Sequence, residues 1–322
     1  MRAIVSPRYG DADVLELKEV PTPAPKAGEV RVRVHATTVG RTDRETLRGH
    51  PFFARLATGL TRPKHPVLGM DFAGVVEEVG PDAVRFAPGD RVFGLSPERF
   101  GAHADYLCVS EDGPVAPMPQ GLRFDEAVVC EGAWYASTDL DAFGVGPGDR
   151  LLVYGASGAI GTAAVQLAKA RGASVTAVVA TRHLDLAASL GAERVVDYTA
   201  EDFTAIGETF DYVFDAVGKT SYLACRGLLT PDGVFAATDL GPWGQNVLFA
   251  WTSSLSGRGR VVFPLPKVRP GLVEGFAELL ASGALRAVVD RTYPLEEIAD
   301  AYRYVATEQK TGIVVVEVAP EP

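Results

Sequence analysis

The sequence lacks the features that mark several common classes of protein. Its three cysteines, Cys108, Cys130 and Cys225, lie far apart and form no CxxC pair, so neither a disulfide framework nor a zinc knuckle is predicted. We expect three reduced, largely buried thiols. No apolar run reaches the roughly 20 residues that are needed to cross a bilayer. The net charge of −10 comes without a basic block, which argues against nucleic acid as a partner.

The pattern of a secretory leader is also missing. The segment Met1 to Pro7 turns polar too early for a signal peptide, so we expect a cytoplasmic protein with no membrane partner. With 322 residues, of which 47% are hydrophobic, the chain is long enough for two domains with sizeable cores.

Two kinds of pattern divide the chain. Residues 1 to about 118 hold many short strand candidates separated by glycine and proline, which is typical of a compact, barrel-like β domain. Within it, Glu29 to Val34 alternates charged and apolar residues, as a half-exposed strand does. From about Glu126 strand and helix candidates alternate, which predicts a doubly wound parallel sheet. Its last strand is expected at Arg260 to Phe263, after which the chain returns to the first domain.

A glycine-rich turn lies at the centre of the second pattern. It separates an apolar strand candidate, Leu151 to Tyr154, from an amphipathic helix candidate, Thr162 to Arg171. Gly155 permits a tight turn, Gly158 lets a pyrophosphate approach the backbone, and Gly161 lets the helix pack close to the strand. The helix N-terminus offers free N–H groups to the phosphates. This pattern predicts dinucleotide binding, and the alternative is a plain turn between a core strand and its helix. The residues assigned to the cofactor here are Gly155, Ala156, Ser157, Gly158, Ala159, Ile160 and Gly161.

The end of the next strand bears on the choice between NADH and NADPH. An NAD-preferring enzyme usually places Asp or Glu there to hold the ribose 2′-hydroxyl. This chain has Ala180, followed by Thr181 and Arg182. A guanidinium forms a bidentate, charge-assisted pair with a 2′-phosphate. We therefore predict NADPH, bound in part by Thr181 and Arg182; the alternative for Arg182 is a solvated loop arginine.

With these residues on the page, the chain resembles the medium-chain dehydrogenase/reductase superfamily. More narrowly it is similar to the zinc-independent quinone oxidoreductase branch, including members labelled NAD(P)-dependent alcohol dehydrogenase. The resemblance implies an α/β fold in which a doubly wound parallel Rossmann domain, residues 123–265, is combined with a GroES-like β-barrel catalytic domain, residues 1–122 and 266–322. It also implies a cofactor in the cleft between the domains, and a homodimer. The motifs that carry the resemblance are Leu68 to Val76, Pro88 to Val92, Gly155 to Gly161, Ser189 to Ala192, Val196 to Tyr198 and Asp290 to Leu295.

The resemblance implies roles for single residues as well. Tyr198 matches a family tyrosine near the adenosine phosphate, and Val217 and Gly218 match a stretch that runs along the cofactor. Asp43 matches a family aspartate, for which hydrogen bonding to the backbone is the structural alternative to catalysis.

The metal prediction can be argued from ligand chemistry. A catalytic zinc needs about three Cys, His or carboxylate ligands and one open position. Zinc-dependent relatives carry a cysteine in the segment that reads Gly40-Arg41-Thr42-Asp43 here, and His-Glu where this chain has Met70-Asp71. Their four-cysteine lobe would fall near Leu95 to His103, where this chain has no cysteine. We therefore predict no metal. The histidines that could otherwise cluster are expected to be scattered surface or loop residues: His35, His50, His65 and His103.

Three positions depart from the quinone reductase pattern. Gly40 replaces an asparagine often found near the nicotinamide, Glu131 to Tyr135 replaces a motif of small residues and a threonine, and Ile313 replaces a lysine. The first two lie where the family has its active-site floor. The resemblance therefore transfers catalytic residues less directly than cofactor-binding ones.

The candidate active-site residues follow from these departures. Trp134 and Tyr135 are predicted to line an aromatic substrate pocket, with Arg41 as a third substrate-binding residue; packing of the domain interface is the alternative for the two aromatics. Tyr135 and Asp43 are the candidate catalytic residues. The shape of the pocket is expected to depend on the loops Phe52 to Arg62 and Gly241 to Gly257.

These observations predict an oxidoreductase. A site without zinc polarises an alkoxide poorly, whereas hydride delivery to a quinone or an enone produces a delocalised oxyanion that a single hydrogen bond can stabilise. We predict NADPH-dependent reduction of a quinone or enone. The alternatives are an enoyl reductase of a biosynthetic pathway and a nucleotide-binding protein without redox turnover.

Overall fold

The structure is a computed structural model that describes residues 1–241, 244–255 and 261–320. The strands are β1 (Arg2–Val5), β2 (Glu16–Glu19), β3 (Glu29–Thr38), β4 (Asp71–Val79), β5 (Arg91–Leu95), β6 (Tyr106–Ser110), β7 (Val115–Pro117), β8 (Arg150–Tyr154), β9 (Ser174–Val179), β10 (Arg194–Asp197), β11 (Phe210–Asp215), β12 (Leu229–Ala237), β13 (Val261–Val262), β14 (Val289–Pro294) and β15 (Ile313–Glu317). The α-helices are α1 (Arg41–Arg48), α2 (Arg55–Thr58), α3 (Phe124–Ala127), α4 (Cys130–Phe143), α5 (Ala159–Ala170), α6 (Leu184–Ser189), α7 (Tyr222–Cys225), α8 (Gln245–Leu255), α9 (Leu272–Ala281) and α10 (Ile298–Ala306).

The chain divides into two compact units. The first comprises Met1–Glu131 and Val268–Pro322, and the second comprises Gly132–Lys267. The domain limits predicted from the sequence, 1–122, 123–265 and 266–322, stay a prediction.

The second unit is built on a six-stranded parallel sheet. Its strand order is β10-β9-β8-β11-β12-β13, and every pairing in it is parallel. The central strand β8 is an apolar run. Its residues Leu151, Leu152 and Val153 are fully buried, as expected for a strand in a sheet that is covered on both faces. The strand order reverses between β8 and β11, so the carboxyl ends of these two strands flank the crevice where such sheets bind ligands. The predicted doubly wound sheet is confirmed.

The first unit contains a mixed seven-stranded sheet. Six strands follow the order β14-β15-β3-β4-β5-β7, and β6 pairs with β3. Among the described strands of this sheet, only the pairing of β14 with β15 is parallel. Strands β1 and β2 form a separate antiparallel hairpin. Two isolated β-bridges, Ala3 with Ala104 and Val5 with Val67, join β1 to residues outside the hairpin. These short, mostly antiparallel strands confirm the predicted β-rich domain.

The prediction of a half-exposed strand at Glu29 to Val34 was partly wrong. Strand β3 continues to Thr38, and its residues from Val34 to Thr38 are buried. Strand β4 pairs along one edge of β3, while β6 pairs with the first half of the other edge and β15 with its end. Glu29 itself is only 7% exposed and forms an ion pair with Arg99 at 2.6 Å. Alternation of charged and apolar residues therefore predicts too much exposure for a strand whose acid forms an ion pair with a distant residue.

Boundaries differ from prediction in the second half of the chain. The sequence of residues Tyr222 to Leu229 predicts one helix, but the helix ends at Cys225 and continues as a 3-10 turn, because Leu229 pairs with Phe210 and opens β12. Of the predicted strand at 260–263, Val261–Val262 form β13, and Arg260 lies outside the described residues. The predicted loop at 241–257 is helical from Gln245, and its residues 242, 243, 256 and 257 also lie outside them.

The state of the cysteines and the length of the helices agree with what the sequence predicts. All three cysteines are free, with Cys130 and Cys225 buried and Cys108 half-buried, which confirms the expectation for them. Across the described part of the chain, each helix is too short or too polar to cross a membrane.

Helix α4 buries an acid with an unsatisfied oxygen. Asp139 is 4% exposed, and its Oδ1 has no hydrogen-bond partner among the residues that the structure describes. Burial raises the pKa of Asp139 from 3.8 to about 8. The folded state therefore holds this proton more tightly than the unfolded chain does.

We predict that Asp139→Asn stabilises the protein increasingly as the pH rises. Since the folded pKa lies above the unfolded one, the unmodified protein loses stability between pH 3.8 and about 8, by at most about 1.4 kcal/mol per pH unit. The variant has no such loss, so its advantage in Tm should grow across this range and stay constant above it. Thermal unfolding at several pH values measures the difference.

The matched control is Asp141→Asn on the same helix. Asp141 pairs with Arg171 at 2.8 Å, so removal of its charge should give no growing advantage in Tm. A Tm difference for Asp139→Asn that does not change with pH would contradict the prediction.

Candidate functional site

The turn between β8 and α5 has the geometry that its glycines predict. Gly155 has a φ of +76°, and a Cβ on it would lie 2.6 Å from the side chain of Val217. A Cβ on Gly161 would overlap the carbonyl oxygen of Gly155 and stand 2.7 Å from Cα of Ala156. The first residue therefore needs glycine for its backbone conformation, and the third needs it for the close contact of helix and turn.

Gly158 differs from these two glycines. Its φ is −81°, and a Cβ on it would meet nothing nearer than 3.8 Å. The space beside it is thus a cradle that a methyl group would fill. No side chain caps the N-terminus of α5 within the described residues, so backbone N–H groups remain for an anion. The turn fits the diphosphate of a dinucleotide. The other assigned residues of this segment are buried Ala156 and half-buried Ser157, Ala159 and Ile160.

The remaining cofactor candidates lie at the carboxyl edge of the same sheet. Thr181 and Arg182 follow β9 in a 3-10 turn, Tyr198 follows β10, and Val217 and Gly218 follow β11. The structure therefore brings every predicted cofactor residue to one edge of the second unit. Their roles stay a prediction.

A buried acid that the sequence analysis missed fixes the loop after β11. Asp215 is fully buried, and its carboxylate accepts hydrogen bonds from the N–H groups of Val217 (3.1 Å), Gly218 (2.8 Å) and Thr220 (2.8 Å). The loop is thereby held against the glycine turn, where Val217 contacts Gly155. An aspartate at the end of a strand, directly before a turn with glycine, is the signal that could have identified it.

A second missed acid lies beside Thr181. The Thr181 hydroxyl donates to Asp197 Oδ2 at 2.6 Å, and it lies 2.8 Å from the hydroxyl of Thr199. Arg182, also exposed, donates from Nε to His183 Nε2 at 3.3 Å. The end of β9 carries no acid, as the sequence shows at Ala180, but the neighbouring strand β10 contributes one beside it.

Helix α4 carries the two aromatics proposed to bind substrate. Trp134 is 6% exposed, its indole N–H donates to the carbonyl of Lys267 at 3.1 Å, and its ring centroid lies 5.7 Å from that of Tyr135. Tyr135 is half-buried. Trp134 is thus buried within the second unit, whereas Tyr135 offers more surface, and the roles of both residues in substrate binding stay a prediction.

The first unit holds a cluster of acids at the start of α1, where Arg41 is the exposed first residue. Asp43 is fully buried, and its two oxygens accept from the N–H of Gly40 at 2.9 Å and of Gly69 at 3.2 Å. Burial raises the pKa of Asp43. These backbone contacts are those of the structural alternative considered for this residue.

Glu131 stands next to Asp43, and sequence reasoning did not identify it as a chemical group. Its own N–H donates to Asp71 Oδ1 at 2.8 Å, and its carboxylate accepts from the hydroxyl and the N–H of Thr42. Burial and the charge of Asp43 raise the pKa of Glu131. A lone acid within the apolar stretch from Ala127 to Ala136 is the signal that could have pointed to it.

Two further groups complete the acid cluster, which we define as Asp43, Asp71, Glu131, Lys310 and Tyr302. Lys310 donates to the carbonyl of Gly312 at 2.5 Å, and its charge opposes the rise in the pKa of Glu131. The Tyr302 hydroxyl is buried without a hydrogen-bond partner in the described chain, and the nearby Asp43 and Glu131 raise its pKa further.

Two of the four histidines, His35 and His103, are buried and so differ from the surface or loop residues that we expected, whereas His50 is exposed and His65 is a half-buried loop residue. His103 is fully buried, its Nε2–H donates to the carbonyl of Thr38 at 2.9 Å, and its ring lies edge-on to Tyr302. His35 is 4% exposed and stacks on Phe124, with 4.4 Å between ring centroids. Both imidazoles fill the core because each has a backbone partner. Within residues 1–241, 244–255 and 261–320, no three His, Cys, Asp or Glu side chains are grouped so that they could hold a metal ion.

Comparisons with known proteins agree with this architecture. A family model for the alcohol dehydrogenase GroES-like domain matches residues 26–120, and one for zinc-binding dehydrogenase matches residues 190–316. The 2-methylene-furan-3-one reductase of Solanum lycopersicum is 31% identical over 97% of this chain and 78% of its own length. The chloroplastic NADPH-dependent alkenal/one oxidoreductase of Arabidopsis thaliana is 30% identical over 99% of this chain and 80% of its own.

A comparison with solved structures supports the same family. The quinone oxidoreductase from Coxiella burnetii superposes with a TM-score of 0.88 at 27% identity and covers 99% of each chain. The glycine turn, the parallel sheet, the GroES-like match and these relatives converge. The chain belongs to the medium-chain dehydrogenase/reductase superfamily, within its group of quinone oxidoreductases and enone reductases.

Proposed function

We propose that the protein is an NADPH-dependent oxidoreductase that transfers a hydride to a quinone or an enone without a metal ion. The observation that carries this proposal is the open space beside Gly158, at the start of an uncapped helix and at the strand-order reversal of the sheet. The activities for which the enone-reducing relatives and the similar quinone oxidoreductase are named support the choice of acceptor.

Each candidate residue has a proposed role. The turn from Gly155 to Gly161 would hold the diphosphate, Arg182 the 2′-phosphate, and Tyr198 with Val217 and Gly218 the flanks of the cofactor. When bound, the nicotinamide supplies the hydride. Arg41, Trp134 and Tyr135 are proposed to contact the substrate, and Asp43 to position the segment around Gly40.

The metal-free part of the proposal is supported by the ligands that are present. In the residues that the structure describes, Asp43 and Asp71 are engaged by backbone N–H groups, and no third ligand completes a site. Met70 and Arg41 are not zinc ligands. We further propose a cytoplasmic homodimer that forms by edge pairing at β13, the last strand in the order of the parallel sheet.

The first prediction concerns the phosphate cradle. Gly158→Ala should fold with an unchanged Tm, because its φ suits alanine and the nearest atoms are 3.8 Å from the new methyl group. The methyl should fill the space for the diphosphate and weaken NADPH binding by at least about 1.4 kcal/mol, or tenfold in Kd. Titration calorimetry and thermal unfolding measure the two effects. Gly161→Ala is the contrasting variant, since its methyl would overlap Gly155 and lower the Tm.

The second prediction concerns the choice of cofactor. Arg182→Ala should lose a charge-assisted contact and weaken NADPH by about 1.5–3 kcal/mol, roughly 10- to 150-fold in Kd, while NADH binding is spared. Asp197→Asn should tighten NADPH a few-fold, because it removes a negative charge beside Thr181. Fluorescence titration with both cofactors tests this. Equal affinity of the unmodified protein for NADPH and NADH would refute the preference.

The third prediction is the activity itself. The purified protein should oxidise NADPH in the presence of quinones and enones, without loss on chelation, and should turn over simple alcohols poorly. Initial rates with a panel of these acceptors measure this. Turnover confined to enoyl thioesters would favour the biosynthetic enoyl reductase, and binding of NADPH without turnover of any acceptor would favour a nucleotide-binding protein.

A further inference from the structure

Residues 51–66 of the first unit, which we call the apolar lobe, expose four large apolar side chains within nine residues. Each of the four is between 62% and 79% exposed, so they project from the surface and do not line a groove: Phe52, Phe53, Leu56 and Leu60. The chain has fifteen phenylalanines, all within the described residues, and only Phe52 and Phe53 are exposed. Exposed apolar clusters of this kind mark surfaces that bind another protein or a membrane.

The charges of the apolar lobe are basic. The sequence has no Asp or Glu in residues 46–70, although 41 of its 322 residues are acids. Arg62 and Lys64 are exposed, and neither forms an ion pair with any residue that the structure describes. Two acids near the lobe, Asp11 and Glu45, both pair with the arginine that ends α1, at 3.2 Å and 3.8 Å. The lobe is therefore locally positive in a protein whose net charge is −10.

The apolar lobe is a preformed structure. The guanidinium of Arg55 lies 4.4 Å from the ring centroid of Tyr9, and the Tyr9 hydroxyl donates to the carbonyl of Gly59 at 2.6 Å. The N–H of Lys64 donates to the carbonyl of Thr58 at 2.7 Å and closes the turn. Because these contacts determine the course of the backbone, the exposure of the apolar side chains is a property of the fold.

We propose that the apolar lobe binds the surface of an anionic lipid bilayer. Aromatic and leucine side chains insert between lipid headgroups, while flanking Lys and Arg residues contact the negative charge of the lipids. A folded protein partner would need a concave surface matched to four projecting side chains, whereas lipids adapt to their shape. The lobe also has internal partners for part of its backbone, as insertion into an apolar phase requires.

The proposed binding is peripheral. We expected no membrane partner because no apolar run of the sequence is long enough to span a bilayer, but binding at the surface needs no such run. Anionic lipids are enriched in the cytoplasmic leaflet, which fits the location that we propose. The inference goes beyond the proposed function and does not depend on it. If both hold, the enzyme would reach apolar acceptors that are dissolved in the bilayer.

The first test measures co-sedimentation with vesicles of phosphatidylcholine alone and of an equal mixture with phosphatidylserine. The unmodified protein should bind the mixed vesicles, and this binding should weaken as salt is added. Arg62→Glu should weaken it about 25-fold, because each basic residue near an anionic surface contributes roughly fivefold and the reversal changes the charge by two. Arg226→Glu makes the same change at an exposed arginine of the second unit and should have little effect.

The second test removes apolar surface. Phe53→Ser combined with Leu56→Ser should weaken binding to the mixed vesicles at least tenfold, because two large apolar side chains can no longer insert. The Tm should not change, since both side chains are mostly exposed. Leu223→Ser is the matched control, because Leu223 is 52% exposed on α7 of the second unit. Phe53→Trp should show fluorescence quenching by brominated lipids, which detects insertion directly.

Several outcomes would overturn the proposal. It is wrong if the unmodified protein does not bind the mixed vesicles, or if the double serine variant binds them equally well. Without vesicle binding, a change in molar mass of that variant would identify the lobe as an interface between copies of the chain, and a raised KM for a water-soluble quinone would identify it as a wall of the acceptor pocket. Loss of vesicle binding in Arg62→Glu but not in the serine variant would indicate a site for an acidic protein. None of these results affects the proposed function, since oxidation of NADPH by a soluble acceptor is measured without lipid.

Discussion

The close backbone contact between α5 and the turn before it is the constraint on which the candidate site depends. Gly161 lies so near Gly155 that no side chain fits between them, and this contact fixes where α5 begins. The start of α5 in turn contacts Gly132 through Ala159, which fixes the first turn of α4. Glu131 precedes Gly132 and reaches the space left by Gly40. Glycines thus set the start of α5 within the second unit and, separately, the space that the Glu131 carboxyl occupies within the first unit.

Sequence patterns predicted the elements of this arrangement but not the contacts between distant parts of the chain. The strand, turn and helix around Gly155 are local, and their period and glycine spacing identify them directly. The bond between Glu131 and Asp71 joins residues 60 positions apart, and the one between Thr181 and Asp197 joins neighbouring strands. Pairings of this kind depend on strand order and register, which no periodicity reveals. For the same reason the burial of Glu29 was missed.

The buried acids differ in how they are stabilised. Asp43 accepts two backbone N–H groups and Asp71 accepts one, so folding replaces part of the hydration that each loses. Asp139 has an oxygen without any partner in the described chain and is best kept neutral. Burial alone therefore does not mark a functional acid. Glu131 differs from these three aspartates in that the residue is only half-buried and Gly40 leaves room for its carboxyl. The charges of Asp43 and Lys310 also act on it in opposite directions.

The edge that would bind the adenosine ribose shows how opposing charges set cofactor choice. A 2′-phosphate is attracted by Arg182 and repelled by Asp197, whereas a ribose 2′-hydroxyl can donate to that carboxylate. The single hydroxyl proton of Thr181 is directed to Asp197 at 2.6 Å, so a hydrogen bond from this hydroxyl to a phosphate requires that the proton turn away from Asp197. Discrimination between the two cofactors then depends on the difference between the attraction of the phosphate to Arg182 and its repulsion by Asp197. Both side chains are in contact with solvent, which screens their charges. The preference for NADPH that we propose would accordingly be smaller than Thr181 and Arg182 alone indicate.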